Sequence, residues 1–302
     1  MNTRGIIAVV LLALGTGLTL AQVPAAATPP APAAAPVAAA PPSAAVAPAA
    51  AVARPVPMPA WPLYQHTGEQ YRVYEFPGTG ESIPYRLYVP EDWQPGERLP
   101  LLITLRAGNS INNNHRDDNA LVSEARRHRY IVISPLGYRG LRQPYYGSPY
   151  PIERPDGPSS PGDGWSAEES ARAEQDVLNV LALVAAEYGA DTSRVFLHGQ
   201  NPSASGALYL ASRYPELFKA VVVSSGPIVT RDFPFAALRG KVSVLVLHGD
   251  KDSSNPIAAS ERLARELSAA GVSTEYRVVP GGEHLNAYLL AAPQIYDFLD
   301  RQ

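Results

Sequence analysis

The sequence contains no cysteine at all. That excludes disulfides, zinc–thiolate sites and iron–sulfur clusters, so stability has to come from burial alone even in an exported protein. An excess of charge of one sign is also lacking. The formal net charge is −3 and the basic residues form no cluster, which argues against nucleic acid as a partner. Histidine is scattered: its six copies make no HxxxH or HxH pair, so the sequence implies no metal centre. No internal repeat is visible.

What is present falls into three parts. Residues 1–21 have the build of a secretory signal peptide, with Arg4 as the positive start, an apolar run from Ile6 to Leu20, and Thr19-Leu20-Ala21 as a small-x-small cleavage site. The alternative is an uncleaved membrane anchor, but Gly15, Thr16 and Gly17 interrupt the run and it is short for a bilayer span. Secretion or delivery to a periplasm is therefore expected. Residues 22–62 are almost wholly alanine and proline, which break helices and bury nothing, so a disordered spacer is expected there. Residues 63–302 have the length of one α/β domain.

Within that domain, Tyr71–Phe76 and Ile83–Val89 alternate apolar and polar residues around Gly78-Thr79-Gly80, as an antiparallel hairpin at a sheet edge does. Five later runs, Leu101–Leu105, Tyr130–Ile133, Val195–Leu197, Ala220–Val223 and Val242–Leu247, are nearly all apolar. Strands covered on both faces look like this. Between them lie helical stretches. From Ser166 to Tyr188 a capping box (Ser166, Glu169) precedes an apolar stripe of Ala173, Val177, Val180, Leu181, Val184 and Tyr188, and Gly189 closes it. A second helix is expected over Ile257–Ala270. Alternating strands and helices predict an α/β fold with a mostly parallel central sheet, helices on both faces and an antiparallel N-terminal hairpin. Residues 138–165 carry Tyr138, Tyr145, Tyr146, Tyr150 and Trp165 without any period. Their aromatic rings either wall a ligand site or pack the loop onto the domain.

Several pieces occur in a familiar order: Ile83-Pro84-Tyr85-Arg86-Leu87-Tyr88-Val89-Pro90, Ser134–Arg139, Glu174-Gln175-Asp176-Val177, Arg213–Phe218, His248-Gly249-Asp250-Lys251-Asp252 and Pro280-Gly281-Gly282-Glu283-His284. From about Tyr71 onward the chain thereby resembles secreted α/β-hydrolase esterases of the feruloyl-esterase, polyhydroxybutyrate-depolymerase-like and carboxylesterase groups. The resemblance implies a serine–histidine–acid triad with Asp252 as the acid (Asp250 is its rival), His284 as the base, and Asn201 where the serine of a G-x-S-x-G elbow would stand. It implies no cofactor. It also points to a small-molecule ester, phenolic or glycan ligand.

The residues at the elbow speak against catalysis. A carboxamide has no hydroxyl for a histidine to activate. Pro202 has no N–H to give an oxyanion, and losing one such donor costs on the order of 10²–10³ in rate. A residue before proline is pushed toward extended geometry, whereas Asn followed by Pro makes an ordinary helix start, so Asn201 is expected as an unstrained N-cap. After the first buried strand, Arg106-Ala107 stands where the resemblance leads one to expect His-Gly, leaving Gly108 and Asn109 as the oxyanion or binding donors. The expectation is a catalytically degenerate esterase that acts by binding. The alternatives are an active ester hydrolase whose nucleophile has slipped to Ser203 or Ser205, and general-base chemistry by Asp252 and His284 on a bound water.

Overall fold

The computed structural model describes residues 65–105, 120–138, 166–226 and 232–302, together with 148, 150, 152–154, 157–159 and 228–229. All of them belong to the compact unit Arg54–Gln302. The signal-peptide and spacer expectations for residues 1–62 lie outside the described residues.

Two antiparallel strands, β1 (Gly68–Glu75) and β2 (Ser82–Val89), open the domain in full register from Gly68↔Val89 to Glu75↔Ser82. This is the hairpin the alternation predicts. The apolar runs become β3 (Leu101–Leu105), β4 (Ile131–Pro135), β7 (Val195–Gln200), β8 (Ala220–Ser224) and β10 (Ser243–Gly249). With β11 (Thr274–Val279) they build an eight-stranded sheet in the order β1-β2-β4-β3-β7-β8-β10-β11. β2 meets β4 antiparallel, and every pair from β4 to β11 is parallel. Three short strands, β5 (Ile152–Arg154), β6 (Gly157–Ser159) and β9 (Ile228–Val229), form a separate small sheet.

Side chains alternate across the large sheet, so consecutive residues of one strand serve two cores. Leu101, Ile103 and Leu105 face the layer of α2 (Ala167–Tyr188), α3 (Pro202–Arg213) and α4 (Ile257–Ala269). Leu102, Val132, Phe196 and Leu245 face α1 (Ala120–His128), α5 (Ala287–Leu290) and α6 (Ala292–Leu299). Helices on both faces explain why the central strands read as unbroken apolar runs.

Helix α2 has its capping box: the Glu169 amide donates to Ser166 Oγ at 3.1 Å, and the Ser166 amide donates to the Glu169 carboxylate at 2.8 Å. Gly189 caps its other end in the left-handed region at φ 63°. The helix also buries three carboxylates that its apolar stripe does not announce, Glu187 among them, paired with Arg72 at 3.0 Å. Asp176 accepts the Gly137 amide at 2.6 Å and the Tyr138 amide at 3.0 Å, anchoring the chain after β4. Glu174 accepts Tyr209 Oη at 2.7 Å and Arg213 Nε at 2.7 Å, as well as the Tyr214 hydroxyl, tying α2 to α3. Of the loop tyrosines, Tyr138 is fully buried with its ring centroid 4.9 Å from that of Phe76, and Tyr150 packs edge-on to Phe233 at 5.3 Å. These two rings pack against the domain. Tyr145, Tyr146 and Trp165 lie outside the described residues.

Candidate functional site

Asn201 sits at the C-terminal end of β7, between the last strand residue, Gln200, and Pro202, the first residue of α3. The helix starts at Pro202 as the sequence suggests, but Asn201 is not an ordinary cap. Its backbone lies at φ 53°, ψ −129°, and its side chain makes no capping hydrogen bond. The expectation of a relaxed N-cap is therefore corrected: the strained elbow is kept. The cause is the close approach of α3 to the sheet. A Cβ at Gly199 would come 2.2 Å from the Ser203 carbonyl oxygen, and one at Gly226 would come 2.6 Å from the Ala204 Cβ. The helix is thus pressed against the strand ends, and the link between them must reverse within one residue. The Asn201 amide donates to the Ser224 carbonyl at 3.0 Å, and the Asn201 carbonyl accepts the Ala204 amide at 3.0 Å. Such a conformation costs on the order of 1–3 kcal/mol and persists only where the surroundings over-determine it. Proline disfavours the right-handed helical region for the residue before it, and the elbow lies well away from that region. Pro202 and the strain are compatible.

The two residues expected to work together are together. Asp252, on the loop after β10, lies 3.0 and 3.1 Å through its two oxygens from Nδ1 of His284, on the loop after β11. Asp252 also accepts the amides of Ser254 and Asn255, each at 2.9 Å. Burial pushes its carboxyl upward, but the Asn255 amide, His284 and the Ser254 amide outweigh burial and hold the group below the usual carboxylate range. Asp250 has a different place: its carboxylate accepts the Gly281 amide at 2.7 Å and pins the turn that leads to His284. That turn presses on β10 closely, since a Cβ at Gly249 would stand 2.1 Å from the Gly282 carbonyl oxygen.

Four residues complete the arrangement, and three of them, Gln200, Asn255 and Ser225, are specified by none of the sequence motifs. Gln200 Nε2 donates to the His284 carbonyl at 2.9 Å, which joins the elbow strand to the histidine loop. Asn255 Nδ2 donates to the Ser225 carbonyl at 2.7 Å, and Ser225 itself has a positive φ of 47°. His248 is fully buried behind Asp252, with Nε2 3.1 Å from the Asn255 carbonyl and 3.4 Å from Asp252 Oδ2. A carbonyl can only accept, so His248 carries its proton on Nε2 and takes the Ser260 hydroxyl on Nδ1 at 2.7 Å. Burial lowers its pKa.

Ser203 and Ser205 lie in the first turns of α3, with 3% and 1% of their surface exposed, and Ser205 Oγ donates to the Pro202 carbonyl at 2.7 Å. Gly108, Asn109 and the neighbouring Arg106-Ala107 lie outside the described residues. Among the described residues no group of histidines and carboxylates is arranged to hold a metal ion, and no helix is long and apolar enough to cross a membrane.

A family model described as "Putative esterase" matches residues 77–274, well over half of the chain. Acetylxylan esterase A of Aspergillus awamori is 24% identical over 162 residues, which are 54% of this chain and 48% of that protein. The protein of the same name from Aspergillus ficuum matches with the same identity and coverage. The chain thus spans at most about half the length of these curated relatives. Among solved structures, the S-formylglutathione hydrolase of Staphylococcus aureus superposes with a TM-score of 0.58 at 14% identity, covering 78% of this chain and 99% of that one. A ferulic acid esterase gives 0.56 at 16% identity, with 78% and 99% coverage. At such identities the structural likeness speaks for the fold alone.

Proposed function

The chain belongs to the esterase family whose model covers residues 77–274, and on that premise we propose that it is an exported member of the family that has lost serine-esterase chemistry and acts by binding a small ligand. The observation that carries this reading is Asn201. It occupies the strained apex of the elbow, at φ 53° and ψ −129°, with the acid–imidazole pair of Asp252 and His284 assembled on the neighbouring loops. The position that should supply a nucleophile supplies a carboxamide, and the residue that should supply an oxyanion donor is a proline.

The slipped-nucleophile alternative loses support from the same geometry. Helix α3 already runs at Pro202, and both serines are packed inside its first turns. Secretion or periplasmic delivery rests on the composition of residues 1–21. The curated relatives named acetylxylan esterase make an acetylated xylan fragment the ester to examine.

The test is labelling of the purified protein with a fluorophosphonate serine probe, run beside turnover of a short aryl ester. No labelling and background turnover are expected. Labelling that vanishes in Ser203→Ala or Ser205→Ala overturns the proposal.

A further inference from the structure

The contacts around Asn201 and His284 close into a ring. Gln200 binds the His284 carbonyl, His284 binds Asp252, Asp252 accepts the Asn255 amide, Asn255 binds the Ser225 carbonyl, and Ser224 accepts the Asn201 amide. The two residues are therefore held relative to each other by two routes, one through Gln200 and one through the β8 end and the acid loop. Among the described residues, Ser225 Oγ of this ring is buried without a hydrogen bond, and two further groups, the Asn201 carboxamide, which caps nothing, and Nε2 of His284, make none either.

Their chemistry restricts what can complete them. The Asp252 carboxylate only accepts, so Nδ1 of His284 is the donor in that bond, and the tautomer this selects presents a lone pair at Nε2. That lone pair needs an O–H or N–H from the ligand. The carboxamide offers two donors and an acceptor. An ester carbonyl group has only acceptors, would leave Nε2 unpaired, and finds no amide at Pro202.

We propose that the Asn201–His284 site binds free hydroxyls, a vicinal diol such as a sugar presents, in preference to the corresponding ester. One hydroxyl donates to His284 Nε2, while its neighbour accepts from the Asn201 amide group. This inference rests on the non-catalytic reading above.

The test uses the full chain with ¹⁵N-histidine labelling and two probes, xylotriose and fully O-acetylated xylotriose, with resonance shifts of His284 and acetate release both followed. Xylotriose should move the His284 resonance and bind at least tenfold more tightly than the acetylated form, the scale expected when a buried acceptor is left unpaired. His284→Phe, and Asn201→Gly as a variant that suits the elbow backbone, should each weaken xylotriose binding tenfold or more. Acetylated xylotriose binding as tightly, binding by neither probe, or variants that bind like the parent each overturn the inference. Release of acetate instead overturns the non-catalytic reading.

Discussion

His198, buried on β7 two residues before the elbow strand ends, makes acid sensitivity a calculable property of this fold. Its ring is fully inaccessible to solvent, its Nε2 lies 3.2 Å from Ser224 Oγ, and its Nδ1 is buried without a hydrogen-bond partner. Burial alone lowers its pKa from 6.5 to about 4. The unfolded chain therefore takes up a proton near pH 6.5 that the folded chain refuses until about pH 4. Stability from this residue is complete above 6.5, declines as pH falls through the window, and is fully lost below about 4. The total loss is about 3 kcal/mol, of which about 2 kcal/mol is already gone at pH 5. Urea unfolding of the parent and of His198→Gln at pH 7 and pH 5 checks this. Carboxylates and His248 titrate alike in both proteins and cancel in the difference. The parent should lose about 2 kcal/mol more than the variant on going to pH 5. Equal losses would refute the claim that His198 is held neutral by burial.

Gly199→Ala should destabilise by about 3 kcal/mol or more in chemical denaturation, because the new Cβ meets backbone at 2.2 Å rather than the tip of a side chain that could swing aside. Asn201→Gly should raise stability by about 1 kcal/mol, since glycine adopts the elbow without strain, while Asn201→Ala should lower it by about 1 kcal/mol. Thermal melts of the three proteins report the order. His284→Ala should leave background aryl-ester turnover unchanged. A clear drop would show that Asp252 and His284 activate a water as general base and would remove the binding-only reading.

Much of the fold was legible because its signals are local. The apolar runs, the Ser166–Glu169 box and Gly189 each specify an element without reference to distant residues, and each is found where the pattern puts it. Strand β11 was not legible: as an edge strand it is half exposed, and Thr274-Glu275-Tyr276-Arg277 lacks the buried run of its neighbours. Helices α1, α5 and α6 escaped for a related reason, being short elements whose apolar faces are completed by one another and by the sheet. At the site, the motif context named Asp252 and His284 as a pair, and their side chains meet at 3.0 Å. Gln200 and Asn255 carry no spacing signature, because what their side chains bind is the backbone of another loop; His248 opens the motif that carries Asp252, but its support of that loop from behind shows only in the fold.

The sequence by itself determined the class of fold, the absence of thiol chemistry, and the presence of a carboxamide and a proline at residues 201 and 202, since these depend on composition and on neighbours along the chain. Only the tertiary structure decided the conformation of Asn201. Locally, Asn-Pro favours a relaxed helix start, and that preference is worth about 1 kcal/mol. The contact between α3 and the ends of β7 and β8, close enough to require glycine at positions 199 and 226, outweighs it and keeps the strain in place.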